Sequence, residues 1–136
     1  MHGYDVKLAG MARPETAIEE AEIPLLVRSF YDRVRNDAML GPLFNDAVHD
    51  WDEHLARIGD FWSSVMLSTG RYKGNPMAMH MLHARRITPE MFDRWLGLWV
   101  ITTDELLPRH TASALQAKAT RIAENIKAAV RIIATQ

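Results

Sequence analysis

The residues of this chain best suited to chemistry lie between Trp51 and Trp99, and most densely in GNPMAMHMLH (Gly74 to His83). A neutral imidazole can ligate a metal, and near neutral pH it can give or take a proton. His80 stands one turn into a segment that Asn75 and Pro76 mark as a helix start, because Asn caps free backbone donors and Pro is pre-set for the first helical position. A second histidine, His54, falls with Ile58, Phe61 and Val65 within about 60° of arc at 100° per residue, so it sits on an apolar helix face. Tyr31, Trp62, Trp95 and Trp99 lie nearby in the pattern. A flat apolar cofactor with a metal at its centre needs a set of this kind: one axial imidazole, an apolar slot, and polar hydrogens on the opposite face.

The elements that must position these residues read as helices throughout. Residues 1–15 contain Gly3, Gly10 and Pro14 without a sustained period, which predicts a loose N-terminal tail before one domain over 16–134. Thr16 to Glu22 is a short helical candidate, and Pro24 restarts the chain in the first turn of the next helix. There Ile23, Val27, Phe30 and Val34 form a stripe, with Tyr31 at its edge, roughly 60° off centre. MLGPLF (Met39 to Phe44) reads as a turn returning Leu43 and Phe44 to the core. Asp50 caps a long helix from Trp51 to about Ser68, with Glu53 in capping-box position and Gly70 as terminator. Thr88 and Pro89 open a helix that Pro108 stops, with Met91, Phe92, Trp95, Leu98, Trp99, Thr102 and Leu106 on an arc of about 120°. A last amphipathic helix runs from about Thr111 or Ser113 to Ala134, with Leu115, Ile122, Ile126 and Ile133 within about 40° and Lys118, Arg121, Glu124, Lys127 and Arg131 on a solvated face. No alternating strand pattern, hairpin or repeat competes, so the predicted fold class is all-α.

Composition removes most other chemistry. The 136 residues are 48% hydrophobic and 24% charged, enough for one compact domain with a core. A net charge of -1 without a dense basic stripe leaves no footprint for nucleic acid, and none for an anionic membrane. With no cysteine there is no disulfide, thiolate nucleophile or Cys-ligated metal, so a metal must be held by His, carboxylate or Met. No apolar signal core and no run near the roughly 18 residues of a spanning helix are present, and the expected location is cytoplasmic. Phosphate loops, HExxH, EF-hand loops and a nucleophile elbow are missing. His80 and His83 could share a non-haem metal, but no third ligand is evident. Haem fits the set that remains. Taken singly, the same residues have plainer roles: His54 a satisfied face histidine, Tyr31 an edge phenol in water, Trp95 a core filler bonded to a backbone carbonyl.

Five stretches in order and spacing resemble the group III truncated haemoglobins, a bacterial truncated globin family: FYDRVR (Phe30 to Arg35), LGPLFN (Leu40 to Asn45), WDEHLARIGDFW (Trp51 to Trp62), YKGNPMAMH (Tyr72 to His80) and FDRWLGLW (Phe92 to Trp99). The likeness covers roughly residues 22–130, and the paired glycines of other truncated groups are absent. It implies a truncated globin fold, a helical sandwich around a haem pocket with the proximal helix cut to a turn or so. It implies His80 as the proximal iron ligand, Tyr31 and Trp95 as distal hydrogen-bond donors, and His54 as the distal histidine. Phe44 would pack on the haem face, with Ile58, Phe61, Met77, Met81, Met91 and Trp99 as pocket walls.

On that footing the cofactor is haem b, the ligands are O2, NO and CO, and an unidentified reductase supplies electrons. The Pro76 carbonyl, four residues before His80, is the natural acceptor for its second N–H. Donors from Tyr31 and Trp95 would slow O2 release and suit NO dioxygenase-like or peroxidase-like chemistry with reactive species; the alternative is a haem-based sensor or interaction module without turnover. For the propionates, Arg71, Tyr72, Lys73, His83, Arg85 and Arg86 flank the site, and Tyr72 with Arg85 or Arg86 is favoured by proximity to His80.

Overall fold

The computed structural model describes residues 17–134; the tail expected at residues 1–15 and the start of the candidate helix at Thr16 lie outside them. Ala17 to Glu19 are irregular and a turn follows, so the short helix expected over Thr16 to Glu22 does not form within the described part. The Glu22 carboxylate accepts the Glu19 N–H at 2.8 Å and opens α1 (Glu22–Asn36) instead. Pro24 fits in its first turn, where backbone N–H groups have no helical acceptor. Ile23, Leu26, Val27, Phe30, Tyr31 and Val34 are all buried, so the apolar arc is wider than the predicted stripe and takes in Tyr31.

The predicted turn at Met39 to Phe44 is a short helix, α2 (Gly41–Ala47), with Pro42 in its first turn. Gly and Pro signal a turn in isolation, yet both suit a helix start. Gly41 is required by closeness: a Cβ there would lie 2.6 Å from the Arg35 carbonyl oxygen. The Asp37 carboxylate fixes this corner, accepting from the Met39 and Leu40 N–H groups at 3.0 Å each and from Arg94 Nε at 2.6 Å.

Asp50 caps α3 (Trp51–Leu67), its carboxylate 3.1 Å from the Glu53 N–H. The reciprocal half of a capping box is replaced by an ion pair from Glu53 to Arg57. The helix ends at Ser68, held in the left-handed region at φ 57°, rather than at Gly70, which takes φ 71° two residues later. After the loop come α4 (Pro76–Leu82), a 3-10 turn (Ala84–Arg86), α5 (Pro89–Leu106) and α6 (Arg109–Ala134). Among the described residues there is no strand, and no helix is long and apolar enough to cross a membrane.

Helix α1 packs on both α3 and α5, α5 packs along α6, and α4 and the 3-10 turn lie on α6. Phe30, Val34, Trp99 and Leu115 are fully buried where these pairs meet, each apolar side chain contributing about 1.5–3 kcal/mol. Buried hydroxyls on α5 are satisfied in place: Thr102 donates to the Leu98 carbonyl at 2.7 Å and accepts from Arg33, and Thr103 donates to the Trp99 carbonyl and accepts from Gln116. The Trp99 indole N–H donates to the Leu115 carbonyl at 3.2 Å and ties α5 to α6. On α6 the buried row is Ala112, Leu115, Ala119, Ala123, Ile126 and Val130. Ile133, expected on that stripe, is exposed in the last turn.

Candidate functional site

Helix α4 is only seven residues long, and its main consequence is the pose of His80. Pro76 cannot donate, but its carbonyl accepts, and His80 Nδ1 lies 2.6 Å from that oxygen. A carbonyl only accepts, so Nδ1 carries the proton and Nε2 keeps its lone pair. Burial pushes the His80 pKa down, the Pro76 bond pushes it up and the His83 charge pushes it down; the balance lies below the ordinary histidine value. The imidazole is therefore neutral at pH 7, with Nε2 available to ligate a metal.

His80 lines an apolar cleft that is partly open to solvent. Tyr31 from α1, His54 from α3 and Trp95 from α5 line the same cleft. All four polar positions anticipated from the sequence thus converge. Burial pushes the Tyr31 hydroxyl up to about 12, with the Trp95 indole N–H pulling the other way. Burial, and then the Arg57 charge, hold His54 below its ordinary value. The His54 ring meets Tyr31 edge-on, with centroids 5.6 Å apart, and its Nε2 is buried without a hydrogen-bond partner.

That unpartnered atom is a test of fit. A buried imidazole nitrogen with no partner costs roughly 1–3 kcal/mol, and a cleft that takes a polar diatomic beside a flat apolar ring would supply one. The donor set agrees: one neutral nitrogen as ligand, two N–H or O–H donors and apolar walls. Among the described residues no three His, Asp or Glu side chains gather to hold a bare metal ion.

Of the expected walls, Phe44, Ile58, Phe61 and Met91 line the cleft, as does Tyr72. Met77, Met81 and Trp99 do not. Met77 and Met81 lie about 60° and 100° around α4 from His80, and they pack into a second cluster with Phe92, Ala123, Ile126 and Val130. Trp99 is fully buried one layer back, stacked on Trp62 at 4.6 Å and on Trp95 at 6.0 Å. Sequence reasoning missed Phe92 and the α6 residues Ile122, Ala123 and Ile126 as cleft walls. The apolar stripe of α6 signalled burial there, but not against which neighbour.

At the cleft mouth, Tyr72 packs edge-on to Phe61 and also faces a groove with Arg57, Arg71 and Lys73. Arg71 is paired with Glu20, and Arg86 with Asp46 at 2.6 Å. The latter pair occupies one of the two arginines expected beside Tyr72, and it ties the 3-10 turn to α2 instead.

No family model matches the sequence. Its relatives include the "Group 3 truncated hemoglobin ctb" of Campylobacter jejuni, 40% identical over 86 residues that span 60% of this chain and 67% of that protein. The crystal structure of a group III truncated hemoglobin from Campylobacter jejuni superposes with a TM-score of 0.75 at 30% identity, covering 84% of this chain and 92% of that one. Its all-helical fold is the truncated haemoglobin fold. With two thirds of a 40% identical relative covered and the fold shared, the chain belongs to the group III truncated haemoglobin family.

Proposed function

We propose that the protein binds haem b, that His80 would hold its iron, and that O2, NO or CO would be taken up in the part of the cleft lined by Tyr31, His54 and Trp95. The observation that carries this is the 2.6 Å contact from His80 Nδ1 to the Pro76 carbonyl, which leaves Nε2 neutral and unshared in an apolar cleft that Tyr31, His54 and Trp95 also line. When bound, haem would supply an iron able to bind a diatomic gas.

The chain's own residues do the rest. Tyr31, with its pKa near 12, stays protonated across physiological pH and remains a donor, and the Trp95 N–H is a donor at any pH. His54 adds a third polar contact through Nε2. Phe44, Ile58, Phe61 and Met91 give this end of the cleft apolar walls, and a hydrogen bond beside such walls is stronger than one in water. Two donors contributing roughly 1–2 kcal/mol each slow O2 release by about one to three orders of magnitude. Such retention, together with a polar ligand site, favours chemistry on NO or reactive oxygen over transport, with a reductase returning the iron to the ferrous state. Tyr72, with Lys73 in the adjoining groove, would hold the propionates, while Arg57 there is engaged by Glu53.

The experiment is an absorption spectrum of protein supplied with haem, in ferric, ferrous and CO forms, beside His80→Ala. A Soret band that shifts on reduction and with CO, and that weakens or changes coordination in the variant, supports the function. Failure of the wild type to take up haem on reconstitution refutes it.

A further inference from the structure

His54 is an unusual side chain to find facing inward: its Nε2 is buried and unpartnered, while rotation toward solvent would give that nitrogen a water. Something must hold the ring. Tyr31, fixed in the core, packs edge-on against it at 5.6 Å, and Trp51 meets it edge-on at 5.4 Å and 85° from a neighbouring direction, the Tyr31 and Trp51 rings being themselves 6.0 Å apart. Trp51 does not line the cleft. It is the first residue of α3 and half-buried, so the preceding turn that restrains side chains deeper in a helix is missing.

Trp51 leans on the Tyr31 ring, tilted 50° at 6.0 Å, and is capped by Arg35. The guanidinium carbon lies 4.4 Å from the centre of the Trp51 ring, a cation–π contact from the last turn of α1. The backbone beneath Arg35 is itself pinned, since its carbonyl accepts from Asn45 Nδ2 at 3.2 Å and abuts Gly41. A chain of contacts therefore runs from a fixed helix corner through Arg35 and Trp51 to His54. Resting on the haem reading above, we infer that Arg35 and Trp51 are positioning residues that hold His54 inside the ligand cleft and so set how often its nitrogen meets a bound gas.

The test uses the haem-loaded protein with CO, reading the C–O stretching bands that separate molecules with His54 in contact from those with it swung away. Arg35→Met and Trp51→Leu each shift the ratio of the two populations toward the open form by about two- to fivefold, the factor a half-exposed cation–π contact is worth. The double variant shifts it no further, and Arg35→Lys and Trp51→Phe, which keep the cation and the ring, stay near wild type. In a His54→Ala background neither loss has an effect. Unchanged bands in Arg35→Met and Trp51→Leu, additive losses, or equal losses in Arg35→Lys overturn the inference. A wild type with no C–O band at all refutes the haem reading alone. The positioning is then decided in haem-free protein by NMR, where the ring-current-shifted His54 protons move toward solvent-exposed values in Arg35→Met if the inference holds and stay in place if it does not.

Discussion

Replacing Trp95 by Phe isolates one hydrogen at the ligand site. The indole is clamped by Trp99, parallel to within 3° at 6.0 Å, and by Phe30, edge-on at 5.4 Å, so a phenyl ring inherits much of the same packing. The change removes the N–H, which otherwise acts on the Tyr31 hydroxyl and, in the liganded protein, on the gas. Loss of one donor in an apolar cleft is worth roughly 1–2 kcal/mol, which corresponds to O2 leaving about 5–30 times faster. The smaller ring costs the fold roughly 1 kcal/mol, to be checked separately by denaturation. Stopped-flow displacement of O2 by CO reads the rate. Tyr31→Phe is the companion variant, and because Trp95 acts on Tyr31, the two effects should combine less than multiplicatively. Rates equal to wild type in both single variants would refute the idea that these donors retain the ligand.

Acid sensitivity of the haem-free protein follows from His54 and His80, whose pKa values are both depressed by burial. Their stabilising effect is complete above the unfolded value near 6.5 and is lost as pH falls through the folded values, so Tm should drop below about pH 6.5, and less steeply in His54→Gln. At the other extreme, the raised pKa of Tyr31 gives stability that is full below the unfolded value near 10 and lost as pH rises to about 12; Tyr31→Phe should remove that part of alkaline unfolding. Gly41→Ala forces a methyl against the Arg35 carbonyl, where only backbone can yield, and should destabilise the fold by roughly 2–4 kcal/mol in urea titrations. Tyr72→Phe and Lys73→Ala should hasten transfer of haem to an acceptor apoglobin, whereas Arg86→Ala, which frees Asp46, should leave the transfer rate unchanged.

Periodicity made α1, α3, α5 and α6 legible, because each is long enough for a 3.6-residue pattern to repeat. It also carried His54 and Trp95 to the correct faces, and Asn75-Pro76 marked the start of the turn that bears His80. Helix α2 escaped notice since seven residues hold no second period, and its opening Gly-Pro speaks for a turn as readily as for a helix. The family likeness implies Met77, Met81 and Trp99 as cleft walls, and the structure lines the cleft with none of them. Their distance from it is a matter of which neighbour each helix face meets, and one chain's pattern does not encode that. Ile133 continues the α6 stripe but passes the end of the packed partners, so the same period that buried Ile126 left it in water. His54 shows the converse: its face was readable, but the missing partner of its nitrogen became visible only with all four walls in place.

The layered indoles have an optical consequence. Trp62 and Trp95 border the cleft, Trp99 is stacked on both, and Trp51 touches His54. These are all four tryptophans of the chain. Every fluorophore that reports on this protein near 340 nm thus sits at the cleft or one ring behind it, within easy range of energy transfer to an absorbing macrocycle. The emission of the whole chain becomes a gauge of occupancy, bright when the cleft is vacant and dark when it is filled, with no label to attach and no indole fully exposed to solvent.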